Sequence, residues 1–116
     1  MSQVFNDKEL LERVDNDWDF LAETVEMLNT DGRALMDQVR QAAAAGDATA
    51  LHRHAHTLKG MISNFCAPGA QSSAFALEIL GKTNDLAGAP AAVATLQGQL
   101  DQLIAGLNDF LSTRPA

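Results

Sequence analysis

The sequence predicts an all-α protein, folded as an antiparallel four-helix bundle with a short N-terminal cap helix. Apolar residues recur at three- and four-residue intervals throughout the chain, and no alternating pattern is long enough to indicate a strand. Ala, Leu, Gln and Glu, which favour helices, dominate the composition. Four long helical segments joined by short links have to alternate in direction, and this gives an antiparallel bundle.

The cap helix is predicted over residues 6–14. Asp7 is suited to be its N-cap, because an aspartate side chain can accept a hydrogen bond from a free backbone N–H of the first turn. Leu10, Leu11 and Val14 lie on one face of this helix and give it an apolar side.

A long first bundle helix is predicted over residues 17–45. The segment Asn29–Gly32 taken alone is typical of a turn. The apolar register nevertheless continues across it without a slip, whereas a loop would normally reset that register. We therefore predict one helix that ends at Gly46. Within this helix, Gly32 should lie where another helix passes close.

The three remaining bundle helices are predicted over residues 47–65, 68–84 and 90–112. Pro68 and Pro90 lie in the first turns of the last two helices, and the first turn is the part of a helix that tolerates proline. The links between these helices are short, as the bundle requires.

One domain is predicted over residues 1–116, since this is a usual length for a single domain and 47% of the residues are hydrophobic. No apolar run approaches the roughly 20 residues of a membrane-spanning helix, and the first residues lack the pattern of a signal peptide. The single cysteine excludes an intrachain disulfide and fits a reducing compartment. From these features we expect a cytoplasmic protein that binds no membrane. We also expect a monomer, because the apolar seams are all used inside the bundle.

The charge is unevenly distributed along the chain. The net charge is −7 with 15 acidic residues, which argues against nucleic-acid binding, and ten of those acids lie in residues 7–37. Residues 48–77 contain no acid, but they contain all three histidines. An acid-free, basic segment in an acidic protein indicates a surface that meets something negative.

A helical wheel of the third predicted helix separates a buried stripe from an exposed site. His56 faces solvent, Lys59 lies on the flank one turn later, and Gly60 is opposite the core. The residues that form the buried stripe are Leu51, Ala55, Leu58, Ile62 and Phe65.

This arrangement suits phosphoryl chemistry. An exposed neutral imidazole is a good nucleophile near pH 7, and a phosphoryl group on Nε2 of His56 would bring about two negative charges within reach of Lys59. Glycine inside a helix costs up to about 1 kcal/mol relative to alanine. Gly60 therefore indicates a need for space beside the histidine, such as the approach of another protein.

The string Ala55-His56-Thr57-Leu58-Lys59-Gly60, followed by Asn64 and Ala67, resembles the signature of histidine-containing phosphotransfer (HPt) domains of two-component phosphorelays. A long preceding helix that ends in Ala-Gly-Asp, a following helix with Leu77-Glu78, and the total length extend the resemblance over nearly the whole chain. Cys66 departs from the family pattern, which commonly has glycine there. Either Cys66 takes a left-handed conformation at a helix end, or Gly69 takes up the turn.

The resemblance implies that His56 is the phosphorylated residue, with Lys59 stabilising the phosphoryl group and Gly60 giving the partner access. The partners it implies are receiver domains of response regulators, a hybrid histidine kinase, or both. We expect no cofactor and no bound metal in this chain, and Mg²⁺ on the receiver partner. The expected docking face shares the side of the helix that carries Gly60 and contains His52, Arg53, Ser63 and Asn64.

Two other functions remain open at this point. The chain could be a non-catalytic helical adaptor that binds receivers or other signalling proteins without accepting phosphate. His52 and His56, four residues apart, could also supply two ligands to a metal, although no third ligand is close in the sequence. A kinase is excluded by inventory, because no Gly-x-x-x-x-Gly-Lys-Ser/Thr loop is present and no carboxylate cluster lies near His56 in the sequence.

Overall fold

Helix boundaries in the computed structural model, which describes residues 4–115, follow the local capping chemistry. The helices are α1 (Asp7–Arg13), α2 (Trp18–Met27), α3 (Arg33–Ala45), α4 (Ala48–Ile62), α5 (Pro68–Lys82) and α6 (Ala89–Leu111). A π-helical segment, Leu28–Gly32, joins α2 to α3, and a 3₁₀ turn, Ser63–Phe65, extends α4. Over residues 4–115 the protein is therefore all-helical and contains no strand.

Three helices begin at a polar side chain that caps their first turn. The side chains of Asn6, Asp17 and Asp47 each accept a backbone N–H three residues later, at 3.0 Å in all three helices. The prediction of Asp7 as the first cap is wrong. Because Asn6 Oδ1 already accepts the Glu9 N–H, Asp7 becomes the first helical residue instead.

Several predicted ends differ from the observed ends by one to three residues. α6 begins at Ala89, one residue before Pro90, and ends one residue short of the predicted limit of 112. α5 ends at Lys82 rather than at residue 84, because the backbone of Asn84 turns into the left-handed region with a φ of 57°. The predicted helix 47–65 loses α-helical geometry after Ile62 and continues as the 3₁₀ turn.

The helical path continues through residues 28–32, where the sequence alone is typical of a turn. The segment is wider than an α-helix, since its backbone is π-helical, but no loop interrupts the path from Trp18 to Ala45. A Cβ on Gly32 would lie 3.5 Å from Met61 Sδ of α4 and 2.9 Å from Leu28 Cδ1. Another helix therefore does pass close to Gly32, and Gly46 ends α3 with a left-handed φ of 70°.

The core lies between α4 and its neighbours. α4 packs against α3 and α5, and α6 packs against α2, α3 and α5. The predicted stripe of α4 and its extension is at most 2% exposed, which confirms the wheel. At Gly81 the two backbones nearly touch, because a Cβ there would lie 2.5 Å from the His52 amide nitrogen and 2.8 Å from the Ala48 carbonyl oxygen. Among the described helices, none is both long and apolar enough to cross a membrane.

α1 supports the turn between α4 and α5. Leu10 is fully buried against the core. The Asn6 N–H donates to the Cys66 carbonyl at 2.9 Å, and Arg13 Nη1 donates to the Ser63 carbonyl at 2.8 Å. These bonds tie the N-terminal helix to the segment that follows the site.

Cys66 adopts the left-handed conformation, with φ 54° and ψ 45°, and ends the 3₁₀ turn. Gly69 lies inside the first turn of α5 and does not take up the turn. Burial raises the pKa of the Cys66 thiol, a hydrogen bond to Glu9 adds to this effect, and the charge of Arg13 opposes it. The thiol is therefore less reactive than an ordinary cysteine, and its backbone carries the strain of a β-carbon at positive φ.

We expect Cys66→Gly to have a free energy of unfolding about 1 kcal/mol higher than Cys66→Ala, because only glycine relieves the left-handed strain. Both variants lose the thiol, so the comparison isolates the backbone. Urea unfolding monitored by circular dichroism measures the difference. Equal midpoints for the two variants would show that Cys66 carries no strain.

Gly81→Ala should lower the free energy of unfolding by about 1–3 kcal/mol, because the new methyl group collides with the backbone of α4 and forces the helices apart. Gly98→Ala is the matched control, since Gly98 lies inside α6 with open space around it. That variant should gain about 0.5–1 kcal/mol. If the two variants shift stability equally, the close approach at Gly81 is not needed.

Candidate functional site

α4 presents His56 on the side of the helix away from the core. Its side chain is 63% exposed, while Ala55 and Leu58, which belong to the buried stripe of the same helix, are fully buried. The exposed placement that the wheel predicted for His56 is therefore confirmed. The imidazole lies at the protein surface, where another macromolecule can reach it.

A buried carboxylate from the neighbouring helix lies behind this histidine. Glu78 of α5 is only 8% exposed. Its Oε2 lies 3.1 Å from His56 Nδ1, and its Oε1 lies 2.7 Å from Lys59 Nζ. Glu78 thus connects the two residues of α4 that the sequence assigned to phosphoryl chemistry.

The ionisation of Glu78 decides which nitrogen of a neutral His56 ring carries the proton. Burial by itself raises the pKa of the Glu78 carboxyl, but the hydrogen bonds from Lys59 and His56, together with the charge of Lys59, outweigh it and hold the pKa below its ordinary value. The group is ionised near neutral pH and can only accept hydrogen bonds. We infer that, in the neutral imidazole, Nδ1 of His56 carries the proton that faces this carboxylate and Nε2, on the outer side of the ring, keeps its lone pair.

His52, one turn before His56, is held by the same residue. Its Nδ1 lies 3.1 Å from the backbone carbonyl oxygen of Glu78, and a carbonyl oxygen only accepts, so His52 Nδ1 also carries a proton. The two imidazoles are close to parallel, with ring centroids 6.3 Å apart. His52 is half-buried, so only part of its ring belongs to the exposed face.

Lys59 lies between Glu78 and an exposed aromatic ring. Its side chain is 24% exposed, and Nζ is 4.9 Å from the ring centroid of Phe75. An ammonium over an aromatic face is attracted by the ring quadrupole. Phe75 is 48% exposed and gives the site an apolar border on the α5 side.

Gly60 leaves open space next to His56. A Cβ built on Gly60 would meet no atom within 4 Å. A groove of about 370 Å³ lies on this side, bordered by Gly60, Met61 and Met27 of α2, whose side chain is 55% exposed. The apolar surface beside His56 therefore comes from Phe75 on one side and from the methionines on the other.

The other predicted docking residues differ in how accessible they are. Arg53 and Asn64 are exposed, while Ser63 is half-buried. The Ser63 hydroxyl donates to the Gly60 carbonyl at 2.6 Å, so its role in this structure is to extend the end of α4. Within residues 4–115, no group of three or more His, Cys, Asp or Glu side chains is arranged to hold a metal ion.

Glu78 is the site residue that the sequence analysis missed. A signal for it exists, because Glu78 is the first acid after the acid-free segment 48–77. It is also in phase with Ala70, Ala74, Leu77 and Gly81, which are buried along one side of α5. An acidic residue on a buried helix face needs a partner, and that need points to the basic side chains of α4.

The comparisons with known proteins concern the family and the fold of the chain. A family model described as the Hpt domain matches residues 23–106. The structure of histidine-containing phosphotransfer protein B (HptB) from Pseudomonas aeruginosa PAO1 superposes with a TM-score of 0.89 at 21% sequence identity, covering 99% of this chain and 100% of that chain. No curated protein matches the chain.

Because the family model covers most of its length, the chain belongs to the Hpt domain family. Domains of this family are phosphotransfer carriers, and the match gives the chain a role in histidine phosphotransfer in two-component signalling. Membership of the family implies interaction with receiver domains and histidine kinases.

We expect Glu78 to contribute most to the free energy of unfolding at pH values above the ordinary pKa of a glutamate. Because its pKa is lower in the folded than in the unfolded protein, the stabilisation is complete above the unfolded value and is lost as the pH falls through the folded value. Urea unfolding of the wild type and Glu78→Gln between pH 7 and pH 3 measures this. The stability difference between the two proteins should shrink on acidification, and a difference independent of pH would contradict the ionised carboxylate.

Proposed function

We propose that His56 Nε2 accepts a phosphoryl group from the aspartyl phosphate of a receiver domain and passes it to another receiver. The observation that carries this proposal is the 3.1 Å contact between His56 Nδ1 and the carboxylate of buried Glu78. It leaves the Nε2 lone pair pointing outward on an imidazole that is 63% exposed. An in-line attack by that lone pair needs no general base in this chain.

The bond changes in this reaction balance without a proton transfer. The Nε2–P bond forms while the P–O bond to the aspartate breaks, and the aspartate leaves as a carboxylate. Nδ1 of His56 keeps its proton throughout, and Glu78 stabilises the positive charge that develops on the ring as Nε2 bonds to phosphorus. Transfer to a second receiver is the same reaction in reverse.

We assign to Lys59 the role of stabilising the negative charge of the incoming phosphoryl oxygens. Its ammonium is held by Glu78 at 2.7 Å, one helical turn from His56. It can turn toward phosphoryl oxygens on Nε2 without leaving the site, because a lysine stem is flexible and Phe75 supports the ammonium from the side. The carboxylate that this movement exposes keeps its hydrogen bond from His56.

The docking face that we propose surrounds His56. Gly60 provides space for the partner, Arg53 and the half-buried His52 add basic groups, and Ser63 and Asn64 extend the face toward the end of α4. A receiver presents an acidic mouth, so this face attracts it electrostatically. The Mg²⁺ that offsets charge during transfer belongs to the receiver, because the one carboxylate at this site is already engaged by Lys59 and His56.

The arrangement of the helices that we propose is an antiparallel four-helix bundle with α1 as its cap. The two-residue link Gly46–Asp47 between α3 and α4, and the contacts of α6 with α2, α3 and α5, support it. We propose a monomer, since the apolar stripes are used within the bundle. The bundle keeps α4 and α5 on one side, where a partner reaches both.

His56→Gln should abolish phosphorylation and leave the fold intact, because the side chain is exposed. The chain is incubated with a phosphorylated receiver domain and analysed by intact-mass spectrometry under alkaline conditions that preserve phosphohistidine. His54→Gln is the matched control, since His54 lies on the same helix away from His56. This variant should still gain one phosphoryl group.

A wild-type chain that binds receivers but gains no phosphoryl group would contradict the proposal. If His56→Gln binds those receivers as well as the wild type does, the chain is a helical adaptor. If His56→Gln still gains a phosphoryl group, another residue accepts it.

Gly60→Ala should raise the free energy of unfolding by about 0.5–1 kcal/mol and at the same time slow phosphotransfer. The methyl group meets nothing within the protein, so the helix gains stability, but it occupies space that we assign to the partner. Gly98→Ala should give the same stabilisation without slowing transfer. Phosphotransfer rates of Gly60→Ala equal to those of the wild type would show that this space is not used.

A further inference from the structure

Phe75 and Ile79 form an exposed apolar pair on α5 beside the site. Phe75 is 48% exposed and Ile79 is 36% exposed, and because they are four residues apart their side chains share one face of the helix. A groove of about 310 Å³ lies next to the Phe75 ring and is bordered by Lys59, Pro68, Gln71, Ser72 and Phe75. A side chain of a partner can therefore reach the ring from this side.

Lys59 covers one face of the Phe75 ring. Its Nζ lies over the ring, 4.9 Å from the centroid, while it also contacts Glu78 Oε1 at 2.7 Å. The ring quadrupole attracts the ammonium, so this position is favourable for both groups. A partner that packs on this face of the ring first has to displace the ammonium.

The register of α5 against α4 places the ring on the side of Lys59 that is away from the reactive histidine. In the order of α5, the contacts join Phe75 to Lys59, Glu78 to Lys59 and His56, and Gly81 to the backbone of His52. Earlier residues of α5 thus meet later residues of α4. An ammonium that turns back toward His56 therefore moves off the Phe75 ring, which supports it only in the unphosphorylated chain.

We propose that phosphorylation of His56 draws Lys59 off the Phe75 ring, and that the receiver docked over the site uses the freed ring to distinguish the phosphorylated chain from the unphosphorylated one. This inference rests on the proposed function and names a residue that determines its specificity. The partner is that same receiver, because Phe75 and Ile79 continue the face around His56.

The charges at the site favour this movement once the phosphoryl group is attached. The group brings about two negative charges to Nε2 of His56, whereas Glu78 offers one charge that it divides between two partners. The phosphorylated ring, with a proton on Nδ1 and phosphorus on Nε2, is itself positively charged. Glu78 therefore keeps a charged partner when Lys59 leaves, and no buried carboxylate is left unpaired.

Release of the ring changes what Phe75 contributes to receiver binding. In the unphosphorylated chain the receiver must break the contact between Lys59 and the ring before it can pack there. In the phosphorylated chain that contact is already broken. The strength of one exposed cation–π contact corresponds to a difference in affinity of about two- to fivefold.

NMR of the ε-methylene protons of Lys59 in the full chain tests the movement. The ring current of Phe75 should shift these protons upfield in the wild type relative to Phe75→Leu, and phosphorylation of His56 should remove this difference. Phosphoramidate phosphorylates the exposed imidazole without a receiver, since the Nε2–P bond forms as the N–P bond breaks and ammonia leaves. Peptide mass spectrometry under alkaline conditions locates the group, and His56→Gln should keep the upfield shift after the same treatment.

Receiver binding tests the consequence. The receiver used has its acceptor aspartate replaced by asparagine, so it docks without taking the phosphoryl group. Phe75→Ala should weaken binding of the phosphorylated chain about two- to fivefold more than binding of the unphosphorylated chain. Phe20→Ala is the matched control, since Phe20 is a similarly exposed phenylalanine near the start of α2, and it should affect both states equally. In a Lys59→Ala background, Phe75→Ala should also affect both states equally, because the ring is then free in each.

An upfield shift of the Lys59 protons that persists after phosphorylation, or equal weakening of both states by Phe75→Ala alone, would overturn the inference. If the shift disappears but the wild-type chain neither accepts a phosphoryl group from a receiver nor passes one on, the proposed function fails while the movement of Lys59 stands.

Discussion

Glu78 holds a carboxylate nearly out of water, where an ionised group is stable only if hydrogen-bonding and charged partners surround it. Lys59 and His56 are those partners, at 2.7 and 3.1 Å. The same contacts that stabilise the carboxylate orient the imidazole, select its tautomer and keep the ammonium one turn away. The surface chemistry of α4 therefore depends on one buried residue of α5.

The close packing of α4 and α5 makes this arrangement possible. Gly81 lies one turn after Glu78, and the absence of a side chain there lets the two helix backbones meet. At that distance the Glu78 carbonyl reaches His52, and the Glu78 carboxylate reaches His56 one turn further along α4. Gly81, which has no reactive side chain of its own, thus lets Glu78 come within reach of the two histidines.

The exposed half of the site follows from sequence patterns, because helical phase decides which residues of a single helix face solvent. His56, Lys59 and Gly60 were predicted on this basis, and their exposure agrees with it. Glu78 was not predicted as a site residue, because its importance comes from contacts with a different helix. Periodicity within α5 places Glu78 on the buried side, but it does not say which residue of α4 lies opposite.

The sequence by itself determined the all-helical fold, the approximate helix limits and the solvent-facing histidine, since these depend on capping residues and on a period of 3.6 residues. It also identified the two candidate conformations of the turn after α4. Only the tertiary structure decided that Cys66 is left-handed, that residues 28–32 form a π-helical segment, and that one glutamate orients two histidines. These features depend on distances between segments that are far apart in the chain, and such distances are fixed by packing.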